Sequence, residues 1–377
     1  MSFLPIRQNQ FYPVTLTMNP ENLLFGAMTL GRRWEYSRDR HPLLSSRSID
    51  PTVLPNESLI RAILMLEKNQ ALSYQGMIIA AHLSDYGINF TLGKDFNSSL
   101  DALRNVPYEG PLDRVESLQY IIDHNADQII RDLELMMTTD RNPGRPISVR
   151  SVIDATVNLK DVVIDDRQGP VYIGPDVHIM AGARILGPVV ILDGAMVKMG
   201  AELYPGTVVG PHSVVSGEIK NSIIHEYSAK GHAGYLGDSI LGRWNNFGAG
   251  TIVSNVSNTF SRVSIKDWNT DDPIEYTSIK RGVMTGDFVK LGIQSRVYRG
   301  TAIGSFSSIA THQAIQGNIP PISWWSDDKK TGYQPDVLRV HCQNQMALRG
   351  AEWTGEWEDA LSFILSVKVD PKIKSRK

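Results

Sequence analysis

Residues 171–215 read VYIGPDVHIMAGARILGPVVILDGAMVKMGAELYPGTVVGPHSVV. Taken in steps of six, one phase gives Ile173, Ile179, Ile185, Ile191, Val197, Leu203, Val209 and Val215, all aliphatic. Four residues after these stand Val177, Ala183, Val189, Ala195, Ala201, Thr207 and Ser213, all small or β-branched. A helix cannot produce this pattern. At ~100° per residue, six residues advance ~600°, so successive aliphatics would land a third of a turn apart. In extended chain six is even, and every marked residue points to the same side. The reading that fits is a coil of short strands with a bend in each hexad, where glycine permits sharp corners. Three hexads make one triangular turn, with the aliphatics stacked inside: a hexapeptide β-helix. A β-sandwich fits poorly, because its strands vary in length and do not hold one phase.

The phase returns at Thr285, Leu291, Val297, Ile303 and Ile309. Between, Ile224, Leu236, Leu241, Phe247 and Val253 keep the character but slip register, which marks a place for function or insertion. The stretch from about Asn255 to Gly282 breaks the pattern and reads as a loop or hairpin thrown out of the coil. Before the coil, Asn56 opens a helix with Glu57 and Ser58 in its first turn. A short strand follows at Met77–Ala81. Residues 112–137 read as an amphipathic helix through Val115, Leu118, Ile121, Ile122, Ile129, Ile130 and Leu133, and TTDRNPGRP (138–146) as a linker. After the coil, Asp336–Val367 reads as mostly helical. Trp324, Trp325, Trp353 and Trp357 suit a tail that packs on the coil and caps its open end.

The chain has 377 residues, with Lys+Arg 38 against Asp+Glu 40 and a formal net charge of −2. No basic surplus exists to neutralise phosphates, so nucleic acid is not expected as a partner. No stretch approaches the ~20 apolar residues of a membrane span, and the N-terminus lacks a signal-type apolar core. The single cysteine, Cys342, fits a reducing compartment. A cytoplasmic, membrane-free protein is the expectation.

The run IKNSIIHEYSAKGHAGYLGDSILGRWNNFGAGTIVSN (219–255) resembles the acyltransferase domain of the bifunctional sugar-1-phosphate acetyltransferase/nucleotidyltransferases. PVTLTMNPENLLFGAMTLGRRWEY (13–36) and VLPNESLIRAI (53–63) look like a shortened, divergent form of that family's nucleotidyltransferase domain. The resemblance implies an α+β N-terminal domain, then a single-stranded left-handed parallel β-helix, then a partly helical tail. Its expected bounds are 1–110 for the nucleotidyltransferase-like domain, 111–147 for a linker helix, 148–315 for the β-helix with an insertion near 256–282, and 316–377 for the tail. It implies sites between subunits of a homotrimer and acetyl-CoA as acyl donor. The acceptor would be a sugar phosphate or nucleotide sugar. Mg²⁺ is implied only if nucleotidyl transfer is retained. His232 falls on the family's catalytic histidine. Lys220, Tyr235, Asn246 and Asn255 fall on sugar-phosphate or active-site positions, and Ala249 on a backbone position near the thioester.

The residues agree in kind. Acyl transfer needs an amine or hydroxyl relieved of a proton, which a neutral imidazole near pH 7 can take. The thioester oxygen gains charge, and Asn246 or the amides of Gly248, Ala249 and Gly250 could face it. Lys220 could hold a phosphate, or be a plain outer-face lysine. Asn246 and Asn255 could instead be asparagine-ladder or turn residues. His178 and His212 lie at outward positions, and His225 has no counterpart in the family. Two departures bear on the acceptor. Tyr204 precedes Pro205-Gly206 where the family has arginine, and Val256 stands where it has tyrosine. A working nucleotidyltransferase carries a G-x-G-T-R-L loop that cradles phosphates; residues 1–110 contain none, the nearest string being FGAMTLGRR (25–33). No metal-ligand spacing occurs. Nucleotidyl transfer and a non-catalytic trimeric scaffold stay open as alternatives to acyl transfer.

Overall fold

The computed structural model describes residues 2–4, 8–83, 103–139, 145–146, 148 and 150–366. The expected linker at 138–146 and the end of the tail from 367 lie largely outside them. The chain divides into two compact units. One comprises Met1–Gln10, Asn19–Leu23 and Met28–Ser117, the other Phe11–Met18, Leu24–Ala27 and Leu118–Lys377.

In the first unit, strands Ser2–Phe3, Ser48–Ile49, Met77–His82, Gln70–Tyr74 and Arg104–Pro107 lie side by side in that order. Gln75 and Gly76, with φ of +49° and +80°, make the tight turn joining the two longest strands. Two helices pack there, α1 (Leu30–Arg40) and α2 (Glu57–Leu64). The Asn56 side chain caps α2 by accepting the Leu59 N–H at 2.8 Å. Leu59, Ile60 and Ile63 bury its inner face against Trp34, Ile49 and Ile79. The FGAMTLGRR segment supplies the start of α1. Its Thr29 hydroxyl accepts the Arg32 N–H at 3.1 Å, so the helix is capped by its own chain.

The long continuous part of the second unit starts with α3 (Leu118–Thr139). The helix expected from residue 112 starts here because Val115 N–H bonds Thr52 O at 2.8 Å, which holds the preceding residues in the first unit. The coil follows, with three walls of parallel strands. Wall A runs from Val152–Ile153 to Asn318–Ile319, wall B from His178–Ile179 to Ser323–Ser326, and wall C from Val163–Asp165 to Arg296–Val297. The last rungs thus pass the expected end at 315. This is the left-handed parallel β-helix. Ile173, Ile191, Val209, Ile224 and Leu241 stack in register on wall A, each fully buried. Each such side chain contributes roughly 1.5–3 kcal/mol through burial. The excursion after Val253 contains the antiparallel hairpin Ser264–Lys266/Pro273–Glu275. Leu241 nonetheless pairs directly with Thr285, so the coil closes over the insertion without a missing rung.

The register slips have a simple cause. Val215 to Ile219 spans four residues and Ile219 to Ile224 five, so corners are trimmed while the inward columns continue. At the corner from wall A to wall B, the third residue after each inward one has positive φ. There stand His212 (+55°), Tyr227 (+59°), Trp244 (+59°), Phe288 (+57°) and Phe306 (+63°). This backbone is unfavourable for residues with a Cβ, by about 1–2 kcal/mol each. The rings stack at successive centroid distances of 4.8, 4.3, 5.9 and 5.4 Å, which offsets part of that cost.

Helices α4 (Pro335–Ala347) and α5 (Gly355–Ser366) form the tail. Their Cys342, Met346, Trp357 and Leu361 pack on Trp244, Phe288 and Phe306, so both helices lie along this corner, while Trp325 of the same tail pairs with Ile309 and packs on the coil's inner core. Among the described residues no helix is long and apolar enough to cross a membrane.

Candidate active site

His232 sits in the turn from wall B to wall C, between Ala229–Lys230 and Tyr235–Gly237, with an exposed side chain. Gly234 permits this turn. Its φ is +128°, and a Cβ there would lie 2.1 Å from Thr251 O. The next coil carries Gly248, Ala249 and Gly250 in the equivalent turn. Gly250 N–H donates to Ala233 O at 3.1 Å and joins the two turns. Gly248 N–H donates to Leu291 O at 2.9 Å. Two of the three amides proposed as oxyanion donors are therefore committed within the coil, and only that of Ala249 is engaged by neither neighbouring turn.

Lys220 and Tyr235 are on wall C. Lys220 flanks the inward Ile219, so its side chain stands on the outer face. Asn255 follows the wall C strand Ile252–Val253. Its Nδ2 donates to Tyr235 Oη at 3.0 Å and to Asp238 Oδ2. Asn221 Nδ2 donates to Asp238 Oδ1 at 2.8 Å. Asn221, Asp238 and Asn255 stand two residues after the inward Ile219, Leu236 and Val253, so they form a ladder with one buried carboxylate between two amides. Asn255 is thus a ladder residue that also reaches Tyr235. Burial first, then the charges of Asp238 and Glu218, push the Tyr235 phenol up to about 12. It stays protonated near neutrality and, having accepted from Asn255, has its O–H to donate outward.

Asn246 lies on wall B, in register between Ala229 and Lys290, with its side chain exposed. The adjacent Asn245 takes the turn role. It donates to Gly242 O and Gly286 O and accepts Val289 N–H. Asn246 lines a cleft of about 360 Å³ with Tyr227, Lys290, His341 and Arg349. Burial pulls the Lys290 ammonium below its ordinary value. A larger hollow of about 1100 Å³ lies under the hairpin, with Val256 and Lys266 in its lining. Tyr204 stands one rung before Lys220 on wall C, its N–H donating to Ile219 O.

Apolar periodicity does not reveal Asn221, Asp238 or Lys230. The first two could have been found by their fixed offset from the inward column. Among the described residues no group of three or more His, Cys, Asp or Glu could hold a metal.

His225 is fully buried. Its Nε2 faces Leu24 N–H at 3.1 Å and its Nδ1 faces Leu241 O at 2.8 Å, an arrangement that only the neutral Nδ1–H tautomer satisfies. Burial pulls its pKa down. The folded state then resists a proton that the unfolded chain accepts, so stability should fall as pH drops below about 6.5. Thermal melts between pH 7.5 and 5 check this, and His225→Asn should flatten the slope.

Residues 38–141 match the sugar nucleotidyl transferase family model. The bifunctional protein GlmU of Bordetella parapertussis is 40% identical over 186 residues, 47% of this chain and 39% of that protein. A bifunctional sugar-1-phosphate nucleotidylyltransferase/acetyltransferase of Sulfurisphaera tokodaii is 33% identical over 156 residues, 36% of this chain and 38% of that one. The chain thus spans about two-fifths of the length of these curated relatives. The solved UDP-N-acetylglucosamine acyltransferase of Francisella novicida aligns at 12% identity and a TM-score of 0.27, covering 58% of this chain and 90% of that one. Over these segments the chain is similar to bifunctional sugar-1-phosphate nucleotidylyltransferase/acetyltransferases.

Proposed function

We propose that the chain is an acyl-CoA-dependent acyltransferase acting on a sugar phosphate or nucleotide sugar, with His232 as general base. The observation that carries this reading is the exposed imidazole on a glycine-rich turn beside the Tyr235–Asn255–Asp238 arrangement. The acyl donor, acetyl-CoA or a close relative, supplies a thioester carbonyl. His232 takes the proton from the acceptor amine or hydroxyl as that atom bonds to the carbonyl carbon, and the thiol of CoA leaves with a proton. The Ala249 amide is the backbone donor available to the carbonyl oxygen, and Asn246 is a second candidate. Lys290 and Arg349 beside Asn246 suit the phosphates of the donor. Tyr235 O–H and Lys220 would hold the acceptor. A homotrimer would set a second subunit against this corner.

The test is release of free CoA thiol from acetyl-CoA with a panel of amino-sugar phosphates and nucleotide amino-sugars. Absence of release across the panel sinks the reading. Within it, Tyr235→Phe should raise the acceptor KM about tenfold at most, the worth of one hydrogen bond, with kcat little changed. A second reading, nucleotidyl transfer, is favoured by the family match over residues 38–141. It predicts Mg²⁺-dependent pyrophosphate release from a nucleoside triphosphate and a sugar phosphate.

A further inference from the structure

The inward column of wall B passes through Val197, Val215, Lys230, Phe247 and Leu291. Every member but one is apolar. Lys230 is fully buried, and among the described residues it has no carboxylate partner. Its Nζ donates to His232 O at 2.5 Å and lies 3.4 Å from Ser216 O. The preceding turn from wall B to wall C is two residues shorter than usual. Val215 to Ile219 spans four residues where Val197 to Leu203 spans six. The lysine stem lies on the inner side of this trimmed corner, beneath the turn that carries His232.

Burying an ammonium among aliphatic groups is costly even with two carbonyls to receive it. Burial pulls its pKa down to about 8. A methionine would fill similar space without that cost. Costly local choices that persist inside an otherwise consistent pattern point to a role at the site. The carbonyl held by Nζ belongs to the residue whose side chain faces solvent.

We infer that Lys230 is a positioning residue: from inside the coil it holds the His232 carbonyl inward and so presents the imidazole outward. This rests on the reading of His232 as the base.

The test compares wild type, Lys230→Met and Lys230→Gln. The Met variant should fold with a thermal midpoint at or above that of wild type, because a buried charge is gone. Its kcat for acyl transfer should fall at least about tenfold with KM little changed, since misplacement of a reacting group costs rate. Glutamine keeps an N–H for the carbonyl. It should recover part of kcat while being less stable than the Met variant. A role in packing alone predicts that activity follows stability across the series, which overturns the inference. So does a Met variant with wild-type kcat, or one that does not fold. If the wild-type chain transfers no acyl group, the base reading of His232 has failed, and the positioning role is read from amide hydrogen exchange. Lys230→Met should then speed exchange across 231–235 at least about tenfold without changing the turn at 180–183. Equal protection overturns it.

Discussion

His232→Ala is expected to slow acyl transfer by about 10²–10⁴-fold, the range for loss of a positioned acid–base group. The fold should barely notice. The ring is exposed, and the bond that ties this residue to the coil runs from Lys230 Nζ to its carbonyl oxygen, which alanine retains. Surface changes of this kind usually alter stability by less than about 0.5 kcal/mol. Thiol release from acetyl-CoA, with melting curves and sedimentation on the same samples, separates lost chemistry from lost structure. Turnover equal to wild type would remove His232 from the mechanism. Loss of turnover with a lowered thermal midpoint would assign the turn to structure.

The columns explain why so much of the fold was legible. An aliphatic residue every six positions is a direct image of stacked rungs, so Ile173 to Val215 fixes a coil before any contact is known. Trimmed corners hide the same rule between Val215 and Leu241, where counting in sixes fails although stacking continues. Lys230 was illegible for another reason. An inward position is recognised by its apolar character, and a lysine there reads as a break in the pattern. The corner aromatics carry a signal that counting could have found, since each stands three residues after an inward side chain. Their partners in the tail carried none, because the contact between Phe288 and Trp357 joins residues 69 positions apart. Of the candidate site, Tyr235 and Asn255 share wall C and are joined by a hydrogen bond, whereas Asn246 faces outward from wall B. The commitment of the Gly248 and Gly250 amides depends on where Leu291 and Ala233 fall, which no local pattern encodes.

Arg243→Ala should cost about 3–5 kcal/mol, the penalty for leaving a buried carboxylate without its cation. The guanidinium is almost wholly buried, and Asp287 entirely so. Arg243 Nε and Nη2 donate to Asp287 Oδ2 at 3.0 and 2.8 Å. Nη2 also donates to Thr17 O at 2.7 Å, and Nη1 to Glu356 Oε1 at 3.0 Å. The guanidinium carbon stands 4.2 Å from the Trp357 ring centroid. One side chain thus joins the coil to residue 17 before it and to α5 after it. Lysine cannot replace it, because a single ammonium lacks the planar fork that serves three partners. Shifts of roughly 2–4 °C per kcal/mol hold for domains of about 150–250 residues and shrink as the cooperative unit grows, so the thermal midpoint should fall by at most about 6–20 °C. The loss should begin at the tail. Amides of α4 and α5 should exchange faster while those of the rungs at 171–215 keep their protection, because the aliphatic columns there do not depend on Arg243. Arg243→Met with Asp287→Leu supplies the decisive comparison. If the penalty comes from the abandoned carboxylate, the double variant should regain much of the stability that Arg243→Ala loses. Equal losses in both would instead assign the cost to contacts with Thr17, Glu356 and Trp357.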